Sequence, residues 1–310
     1  MNTLLLVGGL ILLLLGGEWL LRAAVATAAR WSIPKVVVGM TIVSFATSLP
    51  ELITSIRAAL QGYPDLSLGN VVGSNIANLG FVLGVILLFG RIQVQKSFYQ
   101  FDWPVVFVVS LLLLFLLNNG AISTSDGVFL LCILVAIMTY LIKFQPPMVL
   151  QEPPKNIIIK SWGWIVLFIA FGSLGLAFGS QWLVKGAVGL ARAYDVSERI
   201  IGITLVSMGT SLPELVASGM AIAKKEQGIS IGNLIGSNLF NILTVLGITA
   251  VIHPLQVVDQ QLLDLDVWVM IGFAVLLLPL VFFSKGLQLS WRQGIVLTLC
   301  YAAFMVYALS

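Results

Sequence analysis

A thirteen-residue stretch that occurs twice in this 310-residue chain limits what the chain can fold into. Gly39 to Glu51 reads GMTIVSFATSLPE, and Gly202 to Glu214 reads GITLVSMGTSLPE, 163 positions later. Residues 39–84 and 202–247 agree at 22 of 46 positions without a gap. Each copy places a proline and a glutamate inside an apolar run. We therefore expect Glu51 and Glu214 to occupy matching positions in two related halves.

The composition is that of a membrane protein. The chain is 59% hydrophobic and 9% charged, whereas a soluble domain carries about 25% charged residues. It contains ten apolar runs near the length of about 20 residues that a membrane-spanning helix needs. The runs lack the alternation of barrel strands, which favours helices. We predict an all-α membrane protein with ten transmembrane helices; no basic cluster indicates a nucleic-acid partner.

The predicted helices fall into two sets of five, separated by a proline-rich linker at 145–160 that cannot continue a helix. Helices 2 and 7 are predicted to be interrupted over residues 47–50 and 210–213, which both read TSLP. The repeats are predicted to cover residues 1–150 and 151–310. The ten helices are predicted near residues 3–22, 34–60, 66–90, 103–118, 125–144, 162–185, 197–223, 229–252, 266–284 and 291–309.

The number of helices in each repeat fixes the relative orientation of the repeats. Since five is odd, the second repeat enters the membrane from the opposite side, and the two motifs face each other. With the N-terminus outside, twelve Lys and Arg residues lie inside and four outside, as the positive-inside rule requires. We therefore predict a multi-pass protein of the cell (inner) membrane with both termini outside. Inverted repeats with interrupted helices are typical of secondary transporters, whose site lies where the repeats meet.

The interruption of each helix predicts a cation site. Pro50 has no N–H, and its ring clashes with the carbonyl of residue 46, so the helix must open there. Carbonyls of residues 44–47 are then freed where water cannot satisfy them. A carboxylate at this depth costs about 3 kcal/mol, so two matching ones need an explanation. The oxygen donors are Ser44, Thr47, Ser48 and Glu51 in the first copy and Ser207, Thr210, Ser211 and Glu214 in the second.

The helix after each break adds a polar stripe. Asn70, Ser74 and Asn78 lie at i, i+4 and i+8, on one face of a helix; the second copy has Asn233, Ser237 and Asn241. Adjacent glycines allow another helix to approach closely. Interrupted helices 2 and 7 with striped helices 3 and 8 predict an oxygen-lined cage at the core with two formal negative charges. Such donors suit Ca²⁺, Mg²⁺ or Na⁺, and no Cys or His lies nearby to favour zinc, copper or iron.

Two simpler interpretations stay open for these residues. Ser48-x-x-Glu51 also fits a helix capping box, in which the glutamate bonds the Ser48 N–H. The glycine and asparagine stripe could serve helix packing alone. We favour the ion site because the motif recurs in mid-membrane and opposes its copy.

At these residues the chain resembles the calcium/cation antiporter superfamily and, within it, the prokaryotic sodium/calcium exchangers. The resemblance rests on ATSLPE and GTSLPE, each followed by GNxxGSNxxN. It implies a monomeric antiporter in the lipid bilayer that moves Ca²⁺ outward using inward Na⁺, with no cofactor. It also implies that both ions share Glu51 and Glu214. The further ligands implied are Thr47, Ser48, Thr210, Ser211, Ser74 and Ser237, the carbonyls of Ser44 and Ser207, and the central Asn78 and Asn241.

One departure from the family pattern leaves the ion ratio open. Some members have Asp at one central position, whereas this chain has Asn at both 78 and 241. The cage then holds two carboxylates rather than three. Whether H⁺ or K⁺ takes part also stays open.

Our functional hypothesis is Ca²⁺/Na⁺ antiport by alternating access, with helices 1 and 6 as the moving gate. A close alternative is Ca²⁺/H⁺ exchange, in which the glutamates carry protons. An intramembrane carboxylate enzyme is disfavoured because the sequence has no HExxH motif and no nucleophile–His pair. A passive channel would conduct ions without a counter-ion.

Overall fold

The structure, a computed structural model, describes residues 2–144, 159, 161–194, 207–284 and 286–309. These residues form helices joined by short turns, with four two-residue strands. The fold is therefore all-helical, as predicted.

The first half of the chain contains six helical segments. They are α1 (Asn2–Trp31), α2 (Lys35–Thr47), α3 (Leu49–Leu60), α4 (Pro64–Phe89), α5 (Phe98–Leu117) and α6 (Thr124–Phe144). Segments α2 and α3 are bent by 44° at Ser48, within the interruption predicted over residues 47–50.

The second half repeats this order. Its described segments are α7 (Trp162–Ala193), α8 (Ser207–Thr210), α9 (Leu212–Ala223), α10 (Gln227–Ile252), α11 (Leu262–Phe282) and α12 (Trp291–Leu309). The break between α8 and α9 falls at Ser211, 163 positions after Ser48. The start of predicted helix 7, at 197, and the linker at 145–158 lie outside the described residues.

Helices α1 and α7 are longer than predicted. We expected α1 to end at Arg22, but it continues to Trp31. The Arg22 Nε lies 2.7 Å from Glu18 Oε1, one helical turn earlier, so the charge is compensated within the helix. The alanine-rich segment after it then extends the helix, since alanine has the highest helix propensity.

Within the described residues, seven helices are long and apolar enough to cross a membrane, or eight if α2 and α3 form one bent span. Two predicted spans are not among them. Segment α9 has only twelve residues, and its predicted beginning lies outside the described part. Segment α12 starts with Trp291, Arg292 and Gln293, which lowers its mean hydropathy.

Irregular elements recur at the spacing of the sequence repeat. Each of α4 and α10 contains a π-helical turn, at Asn78–Val82 and Asn241–Leu246. Strand β1 (Ile92–Gln93) pairs with β4 (Gln288–Leu289), and β2 (Ala121–Ile122) pairs with β3 (Leu255–Gln256), both antiparallel. Each strand pair thus joins one half of the chain to the other.

Helices α1 and α7 contact each other directly along their length through glycine. A Cβ added at Gly16 would lie 2.7 Å from the Leu176 nitrogen, and one added at Gly179 would lie 2.7 Å from the Leu13 nitrogen. Later residues of α1 contact earlier residues of α7, so the two helices run antiparallel. Only glycine allows backbones to approach this closely.

The polar-striped helices lie at the centre of the molecule. In α10, 83% of the most apolar window is buried, and in α4, 78%, against 17–39% in the other candidate spans. The other helices present apolar side chains outward, which suits contact with lipid. The predicted core position of the helix that follows each break is therefore observed.

Candidate functional site

Glu51 and Glu214 occupy equivalent places, each in the first turn of the helix that follows a break. Both side chains are 0% exposed. Within the described residues, none of their four carboxylate oxygens has a hydrogen-bond partner. The two carboxylates are close enough to interact electrostatically. Both carboxylates therefore lie in the interior of the helix bundle and do not face lipid.

The breaks before the glutamates are non-helical serines. Ser48 has φ −84° and ψ 2°, and Ser211 has φ −87° and ψ 4°; neither makes a side-chain capping bond. The Ser48 N–H donates to the Ser44 carbonyl at 2.9 Å, and the Glu51 carboxylate makes no bond to it. The capping-box interpretation is therefore wrong for this structure, and the carboxylate is left without the partner that interpretation required.

Nine of the seventeen buried side-chain oxygen atoms without a hydrogen-bond partner in the described residues belong to the predicted site. Buried polar groups in proteins are nearly all hydrogen-bonded, so each exception needs a reason. Nine oxygen atoms of the predicted site residues have no partner among the described residues. They belong to Ser48, Glu51, Ser74, Asn78, Ser211, Glu214 and Asn241. A bound cation would satisfy such a set, because each of these oxygen atoms can donate a lone pair to it.

Thr47 and Ser237 connect the two halves beside Glu214. Their hydroxyl oxygens lie 3.2 Å apart, and both hydroxyls lie near the Glu214 carboxylate, outside the geometry of a hydrogen bond to it. Thr47 Oγ1 also lies 3.3 Å from the Ser44 carbonyl oxygen. That carbonyl oxygen also accepts the Ser48 N–H. For the carbonyl to bind an ion, the Thr47 hydroxyl has to rotate away from it.

The structure describes the two remaining predicted donors of the second copy, Thr210 and Ser207, less fully. Thr210 is half-buried at the end of α8, directly before the Ser211 break. For Ser207 the structure describes only the backbone, where α8 begins. The second copy is thus represented at the site mainly by Ser211, Glu214, Ser237 and Asn241.

The polar stripe divides into packing residues and unpaired residues. Asn70 Nδ2 donates to Ser55 Oγ at 2.9 Å and to the Glu51 carbonyl at 3.2 Å. Asn233 Nδ2 makes the equivalent bond to Ser218 Oγ at 2.8 Å. The packing interpretation is therefore correct for these two asparagines. Ser74 and both polar atoms of Asn78 stay unpaired within the described residues.

Sequence reasoning overlooked Asn75, which orients a predicted ligand. Asn241 Nδ2 donates to Asn75 Oδ1 at 3.0 Å, and Asn75 Nδ2 donates to the Asn238 carbonyl at 3.3 Å. The amide nitrogen of Asn241 is thereby fixed, and its oxygen is the atom left without a partner. Asn75 and Asn238 follow the stripe serines in both copies of GSN, which was the available signal.

The site has the chemistry of a hard-cation site. The described residues contain no group of three or more His, Cys, Asp or Glu side chains suited to a metal ion. The donors brought together are hydroxyls, amide oxygens and two carboxylates, which suit Ca²⁺ and Na⁺ better than softer metals.

One side of the site is closed by a contact between α2 and α10, which we call the sealed contact (residues 36–44 of α2 and 229–236 of α10). Ser44 Oγ lies 2.9 Å from the Asn233 carbonyl oxygen. A Cβ added at Gly236 would lie 2.5 Å from Met40 Cα. The equivalent positions of α4 are half-buried, and the residues equivalent to this part of α2, 199–206, lie outside the described residues.

Comparison with known protein families gives a match over nearly the whole chain. The family described as sodium/calcium exchanger protein matches residues 1–143 and 164–310. The putative antiporter CaxA of Alkalimonas amylolytica is 33% identical over 97% of this chain and 97% of its own. The sodium/calcium exchanger MaX1 of Methanosarcina acetivorans is 28% identical over 98% and 97%.

Solved structures of the sodium-calcium exchanger NCX_Mj are also similar. The structure soaked with 2.5 mM Na⁺ and 0.1 mM Ca²⁺ superposes with a TM-score of 0.82 at 29% identity, covering 98% of this chain and 97% of that one. The structure soaked without Na⁺ and Ca²⁺ gives 0.83 at 29% identity and covers 98% of both chains. The named relatives and structural neighbours are membrane transport proteins and not enzymes.

Proposed function

Because the chain belongs to the sodium/calcium exchanger protein family, we propose that it exchanges Ca²⁺ for Na⁺ across the membrane at one shared site formed by Glu51 and Glu214. The observation that carries this proposal is the pair of fully buried carboxylates whose four oxygens have no partner in the described residues. An uncompensated buried charge is very costly. A cation between the two glutamates removes that cost.

We assign the other ligands from the oxygen atoms that surround the glutamates. The breaks contribute Thr47, Ser48, Thr210 and Ser211, the stripes contribute Ser74, Ser237, Asn78 and Asn241, and the carbonyls of Ser44 and Ser207 complete the set. The unpaired atoms described above support this assignment. Asn75 is a positioning residue, since it acts through Asn241.

The charge of the cage explains coupling. With Asn at both 78 and 241, two carboxylates carry the whole negative charge. One Ca²⁺ or two Na⁺ neutralises it, and an empty cage leaves two buried negative charges that repel each other. That repulsion opposes closure of the empty site, so the protein exchanges ions and does not leak them.

We further propose that the chain forms ten helices in two inverted repeats, residues 1–150 and 151–310, as a monomer with both termini outside. The antiparallel contact of α1 with α7 supports inversion, since these helices occupy equivalent places in the two halves. The reciprocal strand pairs β1–β4 and β2–β3 support it as well.

Alternating access follows from the pseudo-symmetry of the halves. The sealed contact blocks one side, and the half-buried start of α4 leaves the other side more accessible. Helices α1 and α7 are the proposed gate. They contact each other through glycines, so few side chains interdigitate between them. Ser180 Oγ of α7 donates to the Gly209 carbonyl of α8 at 2.6 Å, which links the proposed gate to the helix before the second break.

The test is Na⁺-driven Ca²⁺ uptake in proteoliposomes. We expect Glu51→Gln and Glu214→Gln to abolish uptake driven by an outward Na⁺ gradient while the protein still folds. Asp264→Asn, which removes one exposed charge far from the cage, is the matched control and retains uptake. Normal exchange in both glutamate variants would contradict the shared site.

The same vesicles separate the coupling alternatives. Outward Na⁺, K⁺ and H⁺ gradients are applied one at a time at otherwise fixed composition. Uptake driven by the H⁺ gradient and not by the Na⁺ gradient would replace Ca²⁺/Na⁺ exchange by Ca²⁺/H⁺ exchange.

A further inference from the structure

A polar cavity lies at one surface of the helix bundle, away from the two glutamates. Its volume is about 670 Å³, and it is lined by the starts of α2 and α5, the end of α6 and the turn from α9 to α10. The Lys and Arg count predicts this side to face the cell interior. The cavity therefore lies where the headgroups of the inner leaflet are expected.

Three lysines line this cavity. Lys35 Nζ lies 2.6 Å from Glu226 Oε2, so this pair is neutral. Lys96 and Lys225 are exposed and make no ion pair within the described residues. Ser97 and Gln100 add polar side chains that can donate hydrogen bonds. The lining therefore presents two uncompensated positive charges to whatever enters.

A stack of three aromatic rings forms one wall of the cavity. The centroids of Phe101 and Tyr140 lie 4.4 Å apart, and those of Tyr140 and Phe144 lie 5.5 Å apart. Tyr and Trp side chains of this kind are enriched at membrane–water interfaces, where an apolar ring can lie beside a polar group. Phe101 and Tyr140 also line an apolar groove, so these rings lie between the polar cavity and that groove.

An apolar groove of about 410 Å³ continues from this wall between α5 and α6. It shares Phe101 and Tyr140 with the cavity, and the rest of its lining is aliphatic, including Val105, Leu112 and Ala136. Residues 101–112 of α5 extend about 16 Å at 1.5 Å per residue. This length corresponds to about half of the 30 Å hydrocarbon core of a bilayer, the depth of one acyl chain.

We propose that the cavity and the groove together bind one anionic phospholipid. Its phosphate lies between Lys96 and Lys225, and one acyl chain lies in the groove between α5 and α6. The two uncompensated lysine charges complement the phosphate, and basic pockets between membrane helices are suited to anionic headgroups. The continuity of cavity and groove favours a lipid over a free phosphate ion, which would leave the groove unused.

Native mass spectrometry of the full chain in a nonionic detergent tests the headgroup part. The probes are phosphatidylglycerol and phosphatidylcholine with identical acyl chains. We expect one phosphatidylglycerol to be retained, and the double variant Lys96→Gln/Lys225→Gln to bind it about 30-fold more weakly, since a basic residue near anionic lipid contributes about 1 kcal/mol. Arg91→Gln/Lys143→Gln removes two exposed charges from the same side without altering the cavity, and retains the lipid.

Two further experiments test whether the groove holds an acyl chain and whether the bound phosphate belongs to a lipid or to a free phosphate ester. Ala136→Phe fills the groove and should weaken retention of phosphatidylglycerol at least severalfold, whereas Val135→Phe, on an adjacent exposed position outside the groove, should not. Glycerol 1-phosphate, which lacks acyl chains, should fail to displace the lipid. Equal retention of both lipids, or equal loss in the two double variants, would overturn the proposal. Displacement by glycerol 1-phosphate at matched concentration would assign the cavity to free phosphate esters.

Discussion

The same sequence has two different environments in the two halves of this protein. The motif Gly-Asn-x-x-Gly begins at Gly69 in α4 and at Gly232 in α10. Asn233 is 0% exposed, and Gly232 and Gly236 are buried, whereas Gly69, Asn70 and Gly73 are all half-buried. Since the residues are identical, the difference comes from what packs against each helix.

The sealed contact accounts for the buried copy. There α2 approaches α10 so closely that a Cβ at Gly39 would lie 2.6 Å from the Ile229 carbonyl oxygen. The residues equivalent to this part of α2, 199–206, lie outside the described residues, and the comparison for α4 rests on the half-buried state of Gly69, Asn70 and Gly73. The same glycine motif is thus compatible with a close helix contact and with an accessible surface. Such a motif supports the alternating access that we propose, in which the two halves exchange these environments.

The largest expected difference between the two copies is in chemical accessibility. In a background with Cys132→Ala and Cys300→Ala, we expect Asn70→Cys to react with a water-soluble maleimide and Asn233→Cys to react about 10- to 1000-fold more slowly, because reaction requires a minor open state. Each variant loses the equivalent bond, to Ser55 or to Ser218. Equal labelling rates in the folded protein would contradict the asymmetry of the two sides.

A substitution of glycine by alanine tests the close approach itself. Gly236→Ala places a methyl group against the backbone of Met40, and overpacking of this kind costs about 1–3 kcal/mol. Gly73 is half-buried, and Gly73→Ala gains up to about 1 kcal/mol of helix propensity. The temperature of thermal unfolding of the purified protein should therefore fall for Gly236→Ala and stay constant or rise for Gly73→Ala. Equal shifts would indicate that α4 is packed as tightly as α10.

The central asparagines give a smaller contrast of the same kind. Asn75→Leu removes the acceptor that fixes the Asn241 amide, whereas Asn238→Leu removes a side chain whose Nδ2 bonds only the Leu234 carbonyl of its own helix. We expect Asn75→Leu to weaken Ca²⁺ binding about tenfold, near 1.4 kcal/mol, and Asn238→Leu to change it less than threefold. Calorimetric titration of Ca²⁺ measures both. The opposite order would show that Asn241 is not positioned through Asn75.

Much of the fold could be predicted because it depends on local signals. The bounds of α4 and α10 were predicted within two residues, since Pro64 and the polar residues before Gln227 delimit strong apolar runs. The helix breaks and the buried glutamates were predictable as well, because proline and a carboxylate have large local effects. The end of α1 at residue 22 was wrong: Glu18 compensates the charge of Arg22 within the helix, and the alanine-rich segment after it continues the helix to Trp31.

The asymmetry of the two halves could not be predicted from the sequence. Nothing in GNVVGSN and GNLIGSN indicates that one copy is buried and the other accessible, since this depends on which of two related packings the whole protein adopts. The division of the stripe has a similar cause. Asn70 and Ser74 both fit one polar face, and only the position of Ser55 on the preceding helix separates the packing residue from the unpaired one.

The smallest expected effect concerns charges beside the sealed contact. The Glu18 carboxylate of α1 accepts hydrogen bonds from Lys224 Nζ and Arg22 Nε, both at 2.7 Å. The repeat equivalents of Glu18 and Lys224 are Gln181 and Gln61, so this ion pair has no counterpart in the other half. The side chains of Lys224 and Arg22 are 44% and 52% exposed, and such surface pairs contribute about 0.2–1 kcal/mol.

We therefore expect Glu18→Gln/Lys224→Gln to raise the labelling rate of Asn233→Cys about two- to fivefold, because the pair ties α1 to the end of α9 while the sealed contact is closed. Raised salt should produce a similar increase in the parent protein and little further change in the double variant, since exposed charges are screened. Gln61→Ala/Gln181→Ala, at the equivalent positions, should leave labelling unchanged. An unaltered rate in both double variants would show that packing at Gly232 and Gly236, without help from charge, holds this side closed.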